Sequence, residues 1–110
     1  MNSKVCVILA SNVKEVVLTG LMYASNAKKN NWVEDVKVVF FGPSEKLLAG
    51  DRDIQKAVQE LSDAEDCFAC KAIADRDGIS SFIAQLGIEV SYVGSQISDY
   101  LKEGYIPMVW

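Results

Sequence analysis

The chain contains no histidine. That removes the commonest general base and the usual partner of a catalytic cysteine, so any chemistry rests on sulfur, carboxylates, hydroxyls or lysine. A basic surface is missing as well. Lys+Arg number 11 against 15 Asp+Glu, a net charge of −4, whereas binding through many phosphate contacts needs a positive footprint. Nucleic acid is excluded as a partner on this ground. No apolar run approaches the roughly 20 residues of a membrane span. The opening run Val5 to Ala10 is short for a signal peptide and passes directly into a helix-start pattern, so it reads as a first strand. Cysteine is scarce and odd in number, three in all, which does not make a disulfide framework and fits a reducing cytoplasm. The glycines spell neither a dinucleotide fingerprint nor a phosphate loop. No linker, repeat or low-complexity segment divides the chain, and no cofactor is implied.

What the chain does have is apolar mass. Of 110 residues, 50% are apolar and 24% charged, enough for one compact core and a single domain over residues 1–110. The mean hydropathy of +0.12 is high for so small a soluble monomer. Some apolar surface must then stay wet or meet another subunit, which points to a homo-oligomer.

Strand and helix signals alternate. Val5 to Ala10 lacks a two-residue period, as expected of a strand covered on both faces. Asn12 and Glu15 have the spacing of a capping box, and Val13, Val16, Val17, Gly20, Leu21, Ala24 and Ala27 form one helical stripe. Val36 to Phe41 is a β-branched and aromatic strand stopped by Gly42-Pro43. A short turn through Ala49 and a helix from Asp51, with Ile54, Ala57, Val58 and Leu61 on one face, follow it. The third strand is Cys67 to Ala69. Two short helical pieces split at Gly78, a fourth strand Ile88 to Val93, a helix from Gly94-Ser95 with Ile97, Tyr100 and Leu101 inward, and a last strand Tyr105 to Trp110 complete the order. Gly104 suits a left-handed helix terminator, and Pro107 places the last strand at an edge. The pattern predicts a three-layer α/β/α sandwich on a five-stranded, mainly parallel sheet.

Ligand sites of such sheets lie outside the carboxyl ends of the strands, and Cys70 is expected there. The amino end of the helix that follows favours a thiolate, and Lys71 and Arg76 add positive charge. A buried cysteine acting as a small hydrophobe is the other reading of the same residue. Ser11, Asn12 and Ser44 follow the first two strands and are expected to form a polar pocket beside the thiol. Cys67 and Cys70 spell Cys-x-x-Cys. With Cys6 the one remaining thiol, a four-ligand zinc site lacks donors, so no metal is expected. In an extended stretch the two sulfurs stand roughly 10 Å apart, at about 3.3 Å per residue. A Cys67-Cys70 redox switch therefore needs the strand to end before Cys67; otherwise Cys67 is packing. Cys6 reads as core, and Asp75-Arg76-Asp77 as a solvated turn.

Val5 to Ala10, Ala24-Ser25-Asn26-Ala27, Val38-Val39-Phe40-Phe41-Gly42 with Leu47-Leu48, Phe68-Ala69-Cys70, Gly94 and Gly104-Tyr105 follow one another in an order and spacing that matter together. In these the chain resembles the DsrE/DsrF-like family of small sulfur-relay proteins, which includes TusD-type subunits. The resemblance runs over nearly the whole length. It implies an α/β/α sandwich assembling as a trimer or hexamer, with a persulfide on the cysteine after the third strand, here Cys70. Partners would be a sulfur donor protein and an acceptor protein, and the role that of a carrier more than a turnover enzyme. Cys67 and the Asp75-Arg76-Asp77 turn depart from the family pattern. A scaffold or regulatory oligomer that uses no thiol chemistry is the reading from another class.

Overall fold

The computed structural model describes residues 3–61 and 66–110. Five strands, β1 (Lys4–Leu9), β2 (Asp35–Phe40), β3 (Cys67–Cys70), β4 (Glu89–Ser91) and β5 (Ile106–Val109), form one sheet. Their spatial order is β4-β3-β2-β1-β5 and every pairing is parallel, where a mainly parallel sheet was expected. Between them run α1 (Lys14–Lys29), α2 (Ser44–Gly50), α3 (Arg52–Gln59), α4 (Lys71–Asp77), α5 (Ser80–Gln85) and α6 (Val93–Lys102). The α/β sandwich is thus as predicted. Among the described residues no helix is long and apolar enough to cross a membrane.

Alternation along each strand divides the core in two. Val5, Val7 and Leu9 of β1, Val36, Val38 and Phe40 of β2, and Cys67 and Ala69 of β3 pack under α1, α2, α3 and α5. Cys6, Val39, Phe68 and Cys70 point to the other side, where Val93, Ile97 and Tyr100 of α6 cover them. That second layer is thin. Val109, in register with Ile8 on this side, is 69% exposed, and Leu101, expected to face inward, is 48% exposed. Val93, expected in the fourth strand, is the first residue of α6 and fully buried, because β4 ends at Ser91 and the helix turns in early.

Helix starts are set by what holds the preceding turn. Asp51 caps α3 through Oδ1, which accepts the N–H groups of Asp53 at 2.9 Å and Ile54 at 3.1 Å. Asn12 does not cap α1. The backbone N–H groups of Ala10 and Ser11 both donate to the carbonyl of Trp110, so this turn is tied to the end of β5. Ser11 Oγ then accepts the Val13 N–H at 2.9 Å, Val13 takes the cap position without a side-chain bond, and Asn12 is exposed. Gly104, with φ +90°, follows α6 as the expected left-handed turn. β5 pairs with β1 alone, so Pro107 lies in an edge strand as expected.

Gly20 lets α1 lie close on the sheet. A Cβ there would come within 2.5 Å of Leu9 Cδ2 and 2.8 Å of Trp110 Cγ. Gly20→Ala is expected to destabilise the protein by about 1–3 kcal/mol, although alanine alone favours a helix by about 1 kcal/mol. Urea denaturation checks this.

Candidate functional site

The carboxyl ends of all five parallel strands meet at one edge of the sheet. Cys70 is the last residue of β3, in register with Ser91 of β4, and α4 begins at the next residue. Its backbone, at φ −68° and ψ 118°, is still extended. The residue is 6% exposed and packs with Val39, Phe68, Val93 and Ile73 on the α6 side. Its packed surroundings are thus apolar.

The other two thiols sit in different environments. Cys6 is fully buried within β1, and burial pushes its pKa up to about 11. Cys67 is buried on the opposite face of the sheet from Cys70, and burial pushes its pKa up to about 12. β3 extends through both Cys67 and Cys70. Joining them would require this strand to come apart, which counts against a Cys67-Cys70 switch. Among the described residues no three His, Cys, Asp or Glu side chains converge as a metal site.

The polar residues expected around the thiol divide. Lys71 Nζ lies 2.7 Å from Asp75 Oδ2 along the helix surface, which occupies its charge with a neighbour one turn on. Ser44 is fully buried and its hydroxyl donates to the carbonyl of Leu9. It pins α2 to the end of β1 and offers no free hydroxyl to a pocket. Ser11 is engaged with Val13 as described, and Asn12 points to solvent. Arg76, in contrast, is largely exposed, with Nε 3.2 Å from Asp77 Oδ1. Its charge opposes, in small part, the rise of the Glu45 pKa.

Glu45 was not anticipated. It follows the Gly42-Pro43-Ser44 turn after β2 and is fully buried. Oε2 accepts the Gly42 N–H at 3.2 Å, and the Glu45 N–H returns a bond to the Gly42 carbonyl at 3.0 Å. Gly42 can close this turn because its φ is +113°, which L side chains rarely adopt. Oε1 is buried without a partner. Desolvation, with a smaller contribution from Asp77, raises the carboxyl pKa to about 7 against the opposing pull of the Gly42 N–H and Arg76. The available signal is an acid in the turn after a parallel strand, but glutamate is almost never buried, so its residue type points to a solvated position.

Two surface grooves lie elsewhere. One of about 170 Å³ is lined by Leu18, Met22, Ser25, Ala57 and Glu60, and one of about 120 Å³ is beside the start of β2.

No family model and no curated protein matches the chain. Solved structures share its fold, among them the following two. A conserved protein of unknown function from Bacteroides thetaiotaomicron, BT1422, is 29% identical with a TM-score of 0.89, over 98% of this chain and 95% of that one. The ychN protein from E. coli is 19% identical with a TM-score of 0.76 over the full length of both chains.

Proposed function

We propose that this protein is a small cytoplasmic sulfur carrier of the DsrE/DsrF-like type, in which Cys70 holds a persulfide and passes it to a partner protein. The observation that carries this reading is the position of Cys70. Of the three thiols it alone stands at the carboxyl edge of the sheet, directly before a helix. That edge is where ligands of open parallel sheets bind, and a thiolate there is the form that attacks sulfane sulfur.

The chemistry is two displacements. The Cys70 thiolate attacks the outer sulfur of a donor persulfide, a new S–S bond forms at Sγ, the donor S–S bond breaks, and the donor thiolate leaves and takes a proton. An acceptor thiolate then attacks the terminal sulfur and returns Cys70 to a thiolate. No net oxidant is required. The low exposure of Cys70 shields the adduct from bulk thiols between these steps. Exposed Val109, Ile106 and Leu101 support assembly as a homo-oligomer, a trimer or hexamer.

Incubation with inorganic polysulfide is expected to raise the intact mass by multiples of about 32 Da, the mass of one sulfur atom, and Cys70→Ser is expected to abolish the gain. A wild-type protein that gains no mass overturns the proposal. The same exposed apolar residues also favour a second reading, a scaffold oligomer without thiol chemistry. In that case Cys70→Ser leaves assembly and partner binding unchanged while no adduct forms on wild type.

A further inference from the structure

The polar side chains expected around Cys70 are engaged elsewhere, but β4 supplies one that was not expected. Ser91 is paired in register with Cys70, and residues paired across a parallel sheet point to the same face, about 4.8 Å apart. On the other flank the pairing of β2 ends at Phe40, opposite Ala69. β4 is therefore the strand that sets a side chain directly opposite the thiol. The Ser91 hydroxyl donates to Gln96 Oε1 of α6 at 2.7 Å, and Gln96 Nε2 donates to Glu89 Oε2 at 3.3 Å. Glu89 is two residues back along β4, in register with Phe68 on the same face. A carboxylate only accepts, so Glu89 holds the amide nitrogen and leaves the amide oxygen to Ser91. The serine proton is thereby committed to Gln96. Cys70 itself packs with Val39, Phe68, Ile73 and Val93, none of which has a side-chain donor for a charged sulfur.

We propose that Ser91 is the hydrogen-bond donor to the ionised Cys70 sulfur, and that Gln96, anchored by Glu89, draws that donor away while the thiol is neutral. Oγ and Sγ each lie one bond beyond Cβ atoms about 5 Å apart, so rotation of the serine side chain brings its O–H to the sulfur. A hydrogen bond to a charged group is stronger than one to a neutral amide, and the charge on sulfur therefore decides the contest with Gln96. A bond made to the charged form favours that form, which enlarges the reactive fraction of Cys70. When the thiolate attacks a donor persulfide, its charge passes to the leaving thiolate and the serine proton returns to Gln96. Ser91 transfers no proton, so both displacements balance as written above. The inference rests on Cys70 as the reactive thiol, as proposed above, but not on what the thiol carries.

The test is the rate of alkylation of Cys70 by iodoacetamide, read by peptide mass spectrometry from pH 5.5 to 9. Wild type, Ser91→Ala, Ser91→Thr, Gln96→Ala and the double variant Ser91→Ala/Gln96→Ala are compared. Ser91→Ala is expected to slow Cys70 about three- to tenfold at pH 7, the net worth of one hydrogen bond, by moving the rate curve to higher pH. Ser91→Thr keeps the hydroxyl and is expected to stay close to wild type. Gln96→Ala frees the serine proton and is expected to speed Cys70 about two- to threefold, an effect that vanishes when Ser91 is already alanine. A Ser91→Ala curve equal to or faster than wild type overturns the inference. So does a Gln96→Ala effect that survives without the serine. Cys67, in the same strand, reports on the sheet itself: a change at Cys70 that Cys67 shares is a loosening of β3 and also overturns it. Polysulfide loading is followed separately by intact mass. A Ser91-dependent curve in a protein that never takes up sulfur upholds this inference while removing the carrier reading, and a loaded protein with a Ser91-independent curve does the reverse.

Discussion

Glu45→Gln is expected to stabilise the protein at pH 8 by about 2–3 kcal/mol relative to wild type, and to leave the two nearly equal at pH 4.5. The folded carboxyl has its pKa raised from 4.5 to about 7, chiefly by desolvation, and each unit is worth about 1.4 kcal/mol. Because the folded value lies above the unfolded one, the favourable state is the protonated one. The stability it contributes is fully present below pH 4.5, is lost as pH rises from there through about 7, and does not return above that. Glutamine keeps an oxygen for the Gly42 N–H without a charge to desolvate, although its buried amide nitrogen lacks a certain acceptor, which sets the lower end of the range. Urea denaturation at pH 5, 6, 7 and 8 gives the comparison. The wild-type stability should fall across the series relative to the variant, and parallel curves would remove the argument for a buried neutral acid.

The second large effect concerns selectivity among thiols. With pKa values pushed up to about 11 and about 12 by burial, Cys6 and Cys67 hold roughly one thiolate in a thousand and one in ten thousand at pH 8. All three side chains are buried, Cys6 at 0% and Cys67 at 3% exposure against 6% for Cys70. Iodoacetamide at pH 8 is therefore expected to label Cys70 at least about a hundredfold faster than Cys6 or Cys67 in the native protein, and all three at similar rates in 6 M guanidinium. Native labelling of Cys67 at the rate of Cys70 would show that β3 opens easily, and would return the Cys-x-x-Cys pair to consideration.

Strand positions were legible in the sequence because a parallel sheet writes its buried strands as unbroken apolar runs, and β1 and β2 differ from their predicted limits by one residue. The placement of Cys70 followed from the same signal: the short apolar stretch Cys67 to Ala69 reads as a strand with Cys70 just beyond it, and the structure carries that strand one residue further, through Cys70. The Lys71–Asp75 pair could have been foreseen from its four-residue spacing. What the sequence did not carry was tertiary. Ser11 displaces Asn12 from the helix start because Trp110, at the other end of the chain, accepts both N–H groups of that turn. The burial of Glu45 depends on α4 and α5 packing over α2, which no local pattern around Gly42 announces. Leu101 has the right period for the inner face of α6 and stays outside because the sheet beneath it runs out of cover.

The reach of the Cys70 sulfur is tested most directly by a donor carrying isotopically heavy sulfane sulfur. Wild-type protein would be loaded at pH 7 and its free thiols blocked, and the digest searched for the heavy atom. The expected result is label on the peptide containing Cys70, released by added thiol, with no heavy sulfur on Cys6 or on Cys67 within the same peptide. Heavy sulfur on Cys6 or Cys67 instead, or on no cysteine at all, would contradict it.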